Sequence, residues 1–271
     1  MTGFTTVVLI ASLILWISSG VLTVFASRGE SIRQKTDTTA RLLLSLGTAC
    51  LGLYLGSLWI AYGRPPMRSF GETRLWTAMF LVAIAMTLEF RLKDRTLRMP
   101  AICIGCLFLA LDAFRPEAFD RTLPPALQSP WFVPHVAVYL AGYAVLGLAA
   151  GSAVWTLIRA RFVRTGMMEE DVARLKTLIQ TGTALLTTGM VMGALWAKTA
   201  WGDYWTWDPK ETWAFISWAG YVALLHTGWK RGRNARTTLL LCVVCFLGIL
   251  ACWFIVNVLP SASSSAHAYT N

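Results

Sequence analysis

The sequence predicts an all-α polytopic membrane bundle of about eight transmembrane helices, and three observations carry that prediction. Hydrophobic residues make up 56% of the 271 positions against 14% charged, the composition of an integral membrane protein. The apolar residues are gathered into runs near the ~20 residues that a spanning helix needs. Lipid offers no hydrogen-bond partners to the backbone, so such runs must satisfy their own N–H and C=O groups as helices.

In chain order the runs fall at roughly 5–26, 40–63, 74–90, 99–114, 134–158, 177–197, 212–229 and 238–259. The first opens without a basic region and lacks a small-residue cleavage site, so it reads as a retained helix and not a removed signal peptide. The fourth is the shortest. With it or the first lying in the interface, six or seven spans remain. The long non-membrane pieces are 115–133, with its Pro124-Pro125 pair, and 159–176. In the latter, Glu169, Glu170 and Asp171 precede Arg174 and Lys176, the pattern of a short surface helix. The tail beyond Pro260 is too polar and too short to fold alone. No linker or repeat divides the chain, which reads as one integral membrane domain over 1–271, with N-terminal helices at 1–114 and a second part at 115–271.

The formal charge of +10 resembles a nucleic-acid signal until its distribution is followed. Seventeen of the 24 basic residues fall in alternate loops, around Arg28 to Arg41, Arg91 to Arg98, Arg159 to Lys176 and Lys230 to Arg236. The positive-inside rule puts that side in the cytoplasm and both termini outside. Basic charge therefore sets orientation, and no nucleic-acid role is expected.

One segment stands apart, Trp201-Gly-Asp-Tyr-Trp-Thr-Trp-Asp-Pro-Lys-Glu-Thr-Trp213. Asp208, Lys210 and Glu211 resist leaving water, so it lies at a membrane surface, where indole rings settle. Anchoring tryptophans are ordinarily spread over several helix ends. Concentrated here with charges between them, they suggest a platform for a large flat ligand.

Three histidines occur. His135, after Pro134, opens the fifth span, and His267 sits in the outer tail, so both can reach the face of the tryptophan loop. Imidazole is a common neutral ligand for iron, and two of them clamping a porphyrin is ordinary haem chemistry. A lone histidine at a helix end is more often an interfacial polar residue; two beside an aromatic platform shift that balance. His226 lies thirteen residues beyond Trp213, about 20 Å deeper at ~1.5 Å per residue. It is either a snorkelling group beside Trp229 and Lys230 or one ligand of an inner haem whose second ligand this chain lacks.

Cys103-x-x-Cys106 and Cys242-x-x-Cys245 have redox-motif spacing but lie within apolar spans, as do Cys50 and Cys252. Neither pair is followed by histidine, which argues against covalent haem, and neither shows a cation to lower a thiol pKa. Small buried hydrophobes is the preferred reading, with a thiol-reductant transporter as a distant rival. Glu89 and Asp112, near opposite span ends, are assigned no role.

Residues 201–213 resemble the tryptophan-rich WWD signature of the haem-handling membrane proteins of cytochrome c maturation. Asp208-Pro-Lys-Glu-Thr-Trp213 resembles the CcsA (ResC) branch more than CcmC or CcmF. The Gln128-Ser-Pro-Trp-Phe-Val-Pro-His135 approach, Leu225-His226, and Val256-Asn257 with His267-Ala-Tyr269 follow that family in order and approximate spacing. The first hundred residues resemble it more weakly, through Pro65-Pro66 and Glu72. The tail departs from it, with Ser264-Ser-Ala-His267 where the family more often has Gly-Leu before its histidine.

The resemblance implies the haem-binding subunit of a cytochrome c synthase of the CcsB–CcsA type, a multi-pass protein of a bacterial inner or thylakoid-type membrane. It implies haem b held non-covalently in transit, with 115–271 as the haem-handling core. His135 and His267 become the outer axial pair on the iron, and His226 one member of an inner pair completed by a CcsB-like subunit. Trp201, Trp205, Trp207 and Trp213 would contact the haem. Asp208 and Glu211 would orient a histidine N–H, Lys210 or the loop backbone, and Lys198 or Lys210 would pair with a propionate. The other implied partners are apocytochrome c, whose Cys-x-x-Cys-His thiols receive the haem, and thiol-reducing proteins. The rival readings are a haem transporter or chaperone without ligase activity, and a b-type electron-transfer protein. The latter ordinarily needs paired histidines on facing helices within the bilayer, where this chain offers only His226.

Overall fold

Each apolar run becomes helix. The computed structural model describes residues 3–26, 33–92, 95–114, 123–162, 169–229 and 235–256. In order these form α1 (Gly3–Ala26), α2 (Arg33–Tyr62), α3 (Phe70–Leu92), α4 (Arg98–Phe114), a 3-10 turn (Pro125–Gln128), α5 (Phe132–Phe162), α6 (Glu169–Trp201), α7 (Pro209–Thr227) and α8 (Ala235–Leu250). A π-helical turn, Ala251–Ile255, continues α8. No strand is present among the described residues.

Six of these helices are long and apolar enough to cross a membrane. α4, with 17 residues, and α7, which opens with Lys210 and Glu211, fall outside that group. The separate surface helix expected within 159–176 does not form: Glu169 begins α6, which runs unbroken for 33 residues to Trp201. At ~1.5 Å per residue that is roughly 50 Å, more than the ~30 Å of hydrocarbon. The charged residues are thus the leading turns of a long helix, and Arg174 pairs with Asp171 at 3.1 Å there.

The chain divides into two compact units, Met1–Arg121 and Thr122–Asn271. In the first, α1 packs on α2 and α4, and α3 on α2 and α4. Trp16 is fully buried at the centre, its ring admitted by Gly47 and Gly105. A Cβ at either glycine would approach ring carbons to 2.6 and 2.8 Å.

Charges close both ends of α3. At its last turns Arg98, 1% exposed, reaches Glu89 through Nε at 2.9 Å, and through its other nitrogens Glu89 again and Asp37 at 2.8 Å. Arg41 binds both carboxylates, Asp37 at 2.7 Å and Glu89 at 2.9 Å, and Arg95 adds a contact to Asp37 at 3.3 Å. At its first turn Glu72 accepts from both terminal guanidinium nitrogens of Arg64 at 3.0 Å, while Asp112 of α4 pairs with Arg74 through Nε at 2.7 Å. Glu89 and Asp112 are therefore buried counter-ions.

In the second unit α5 lies along α6 and α8, and α7 packs on α6 and α8. The α5–α6 approach is close because glycines face large side chains: a Cβ on Gly182 would meet Leu146 at 2.4 Å. All six cysteines are free thiols, Cys242 and Cys252 buried and Cys103 exposed, so Cys103 departs from the expected buried hydrophobe.

Candidate functional site

The aromatic segment is a shaped loop, and its charged residues do the shaping. α6 ends at Trp201, and Gly202 turns the chain at φ 95°, in the left-handed region that glycine adopts without penalty. Lys198 Nζ donates to the Gly202 carbonyl at 2.5 Å and lies 5.4 Å above the Tyr204 ring. Trp207 also has a left-handed backbone, φ 59°, which costs a bulky L-residue roughly 1–2 kcal/mol.

The flanking bonds hold that conformation. Glu211 Oε2 accepts from the backbone N–H of Thr206 at 2.7 Å and of Asp208 at 3.3 Å, the amides on either side of Trp207. Thr212 Oγ1 donates to the Trp207 carbonyl at 3.0 Å. Asp208 caps α7, its Oδ1 accepting from Glu211 N at 2.8 Å; with the reciprocal Glu211 contact and Pro209 this is a complete capping box. Asp208 and Glu211 both bond the loop backbone, one of the roles considered for them. Lys210 lies in the first turn of α7, and its carbonyl is 3.8 Å from Cys252 Sγ.

The loop presents rings. Trp207 is 61% exposed and meets Trp205 edge-on at 5.7 Å and Phe215 at 5.6 Å. The buried Trp205 indole N–H has no hydrogen-bond partner among the described residues. Trp213, one turn into α7, is half-buried.

His135 sits in the first turn of α5 against α6. Its Nδ1 is 2.8 Å from the Gly189 carbonyl, which can only accept, so Nδ1 carries the hydrogen and Nε2 keeps its lone pair. Tyr139 lies 4.9 Å from the imidazole, and Trp196 5.5 Å at a 30° tilt. Trp196 is buried among Leu127 and Phe132, donates Nε1–H to Ala126 at 2.7 Å, and touches Trp201 at 4.9 Å. Trp201 thus joins His135 through an intervening ring. From Tyr139 the rings continue inward, to Tyr143 at 5.5 Å and on to Trp253 of the π-helical turn at 5.4 Å.

His226 is not part of this group. It occupies the last turn of α7, exposed, its Nδ1 2.8 Å from the Val222 carbonyl. The helix is unbroken from Trp213, so the expected spacing of about 20 Å holds. His267 lies outside the described residues. No cluster of three or more His, Cys, Asp or Glu able to hold a metal ion occurs among the described residues. An iron already held by a porphyrin needs protein only at its axial positions. Sequence reasoning missed Trp196, Tyr139, Gly189 and Gly193. The legible signal was the spacing Gly189, Gly193, Trp196, one face of a helix running directly into the aromatic segment.

The helices and the aromatic loop define a multi-pass membrane protein of the helical-bundle class. The sequence profile described as Cytochrome C assembly protein matches residues 6–262, and the chain belongs to that cytochrome c biogenesis family. Relatives called Cytochrome c biogenesis protein CcsA are 32% identical in Prochlorococcus marinus (strain AS9601), covering 86% of each chain, and 31% identical in strain MIT 9313, covering 80% of each. One from Chlorella vulgaris is 29% identical over 81% of this chain and 82% of its own. A solved structure, Cytochrome c Heme Lyase CcmF, superposes with a TM-score of 0.74 over 96% of this chain at 17% identity, a likeness of fold. This chain spans 47% of that one's length.

Proposed function

We propose that this protein is the haem-binding subunit of a cytochrome c synthase, active with a CcsB-like partner in a bacterial inner or thylakoid-type membrane. It holds haem b non-covalently at the outer face for attachment to a Cys-x-x-Cys-His apocytochrome. The observation that carries the reading is His135: a buried-side hydrogen bond sets its tautomer with Nε2 as the ligating nitrogen, and its aromatic wall connects to Trp201. The donor set fits a haem, with a neutral imidazole for the iron and indole faces for the macrocycle.

His135 and His267 supply the outer axial ligands, and Trp201, Trp205, Trp207 and Trp213 contact the porphyrin. His226, at the far end of α7, supplies one inner ligand, its partner coming from the second subunit. All eight helices cross the membrane, α4 and α7 included, and both termini face outward. The bond-making is an addition: each apocytochrome S–H adds across a haem vinyl group, the sulfur forming the thioether and the hydrogen completing the neighbouring carbon. No electrons are transferred in that step, and iron and thiols are supplied reduced, the thiols by thiol-reducing proteins. The chain's own contribution is to hold the haem with its vinyl edge accessible. The incoming apocytochrome histidine displaces one axial ligand and draws the product away.

The test is the reduced-minus-oxidised spectrum of purified wild-type and His135→Gly protein. A six-coordinate b-type spectrum in the wild type, with the outer haem's share of it lost in the variant, is expected; an unchanged spectrum rejects His135 as ligand. Thioether formation with a supplied apocytochrome then separates a synthase from a haem exporter, which would bind haem and form no covalent product.

A further inference from the structure

The seam between α5 and α6 has a register that bears on His135 directly. In these antiparallel helices His135 faces Gly193, Tyr139 faces Gly189, and Leu146 faces Gly182. Four residues down α5 match four up α6, and the next step keeps the phase. In every pair a large side chain occupies the space a Cβ would take. At Gly193 that Cβ would lie 2.7 Å from His135 Cε1 and 2.9 Å from Nδ1; at Gly189 it would lie 2.4 Å from the Tyr139 ring. Real Cβ atoms do not approach so closely, so only glycine lets the imidazole lie against the α6 backbone.

We propose that Gly189, Gly193 and Trp196 are positioning residues that seat the His135 ring on α6 and fix Nε2 as its iron-ligating nitrogen. The inference rests on the reading of His135 as a haem ligand and adds what orients it. Each member limits a different freedom. The Gly189 carbonyl, 2.8 Å from Nδ1, fixes the tautomer and the rotation of the ring. Gly193 fixes the depth to which the ring sinks. Trp196, 4% exposed and pinned by its bond to Ala126, is a flat wall at 5.5 Å that stops the ring tilting away. Tyr139, itself seated on Gly189, closes the remaining edge at 4.9 Å. A hydrogen bond to the non-ligating nitrogen also raises the basicity of the other, the usual arrangement behind a metal-bound histidine.

A purely structural role for the glycines predicts something different, because Gly182 makes the same kind of close approach without touching His135. The experiment uses full-length protein with its partner subunit, purified from haem-replete membranes as wild type, Gly193→Ala, Gly182→Ala, Trp196→Leu, Trp196→Phe and His135→Gly. The readouts are the low-spin haem bands, the midpoint potential and the response to added imidazole. Gly193→Ala is expected to lose the same share of the low-spin bands that His135→Gly loses, with imidazole restoring it in both, while Gly182→Ala keeps the wild-type spectrum. Trp196→Leu, which leaves the helix seam intact should Gly193→Ala fail to accumulate, is expected to shift the potential and gain high-spin character, and Trp196→Phe to retain the native bands. A wild-type spectrum in Gly193→Ala or Trp196→Leu overturns the seat, and so does an equal loss in Gly182→Ala. A wild-type spectrum in His135→Gly removes the ligand reading itself, whatever the other variants do.

Discussion

Among the described residues, the first unit pairs its buried arginines with buried acids, whereas the second sets its half-buried histidine among aromatic rings. In the first unit Arg98 is enclosed by Glu89 and Asp37, and Arg64 by Glu72. Removing an ion from water costs several kcal/mol, so such groups persist only while every partner stays in place. In the second unit His135, Trp196, Trp201 and Tyr139 meet through faces and edges, contacts of about 0.5–1.5 kcal/mol each. A ring can exchange one flat neighbour for another at small cost; a buried guanidinium cannot. The first arrangement suits a fixed scaffold, and the second tolerates a change of neighbour at rings that reach the surface, such as Trp207.

The sharpest way to break this contrast is Arg98→Met, which removes the buried guanidinium shared by Glu89 and Asp37 and leaves them only the more exposed Arg41 and Arg95. Loss of about 3–5 kcal/mol is expected, read as a lower unfolding midpoint in a detergent titration. The haem spectrum of the molecules that remain folded should be unchanged; a changed spectrum at full stability would erase the division of labour. Glu211→Ala comes next. It removes the acceptor for the Thr206 and Asp208 amides, with an expected cost of about 2 kcal/mol and new proteolytic cleavage within 202–208. Cleavage spread evenly along the chain would mean that Glu211 supports more than the loop.

A smaller effect tests the strained tryptophan. Trp207→Ala and Trp207→Gly both delete the ring, but only glycine relaxes the left-handed backbone, so the glycine variant should be the more stable by about 1 kcal/mol. Equal stabilities would mean that the loop reshapes once the ring is gone.

Much of the helix plan was legible because hydrophobic runs and their punctuation are local. All eight runs became helices, while the seventh starts at Pro209, ahead of the expected 212, because Asp208 and Glu211, expected only as charged surface residues, form its capping box. The misread piece, 159–176, failed because charge at a helix start looks the same whether the helix is short or continues into an apolar run. The aromatic segment and His135 drew attention by residue type, yet Trp196 did not, being one tryptophan of thirteen inside an apolar run. Its role depends on contact with α5, and the bond from His135 to Gly189 spans 54 residues. Glu89 and Asp112 were equally opaque, since their partners are chosen by packing.

The sequence by itself determined the helical class, the membrane character, the family and the segment to watch, because composition, run length and short-range capping act within a few residues of the chain. The tertiary structure decided which ring stands beside which. It closed Arg98 between acids 61 and 9 residues away, and it set His135 into the glycine face of α6. It also made Glu211 the brace that turns Trp207 outward. Those choices depend on side-chain volume and hydrogen-bond direction across helices, quantities that have no value until the helices meet.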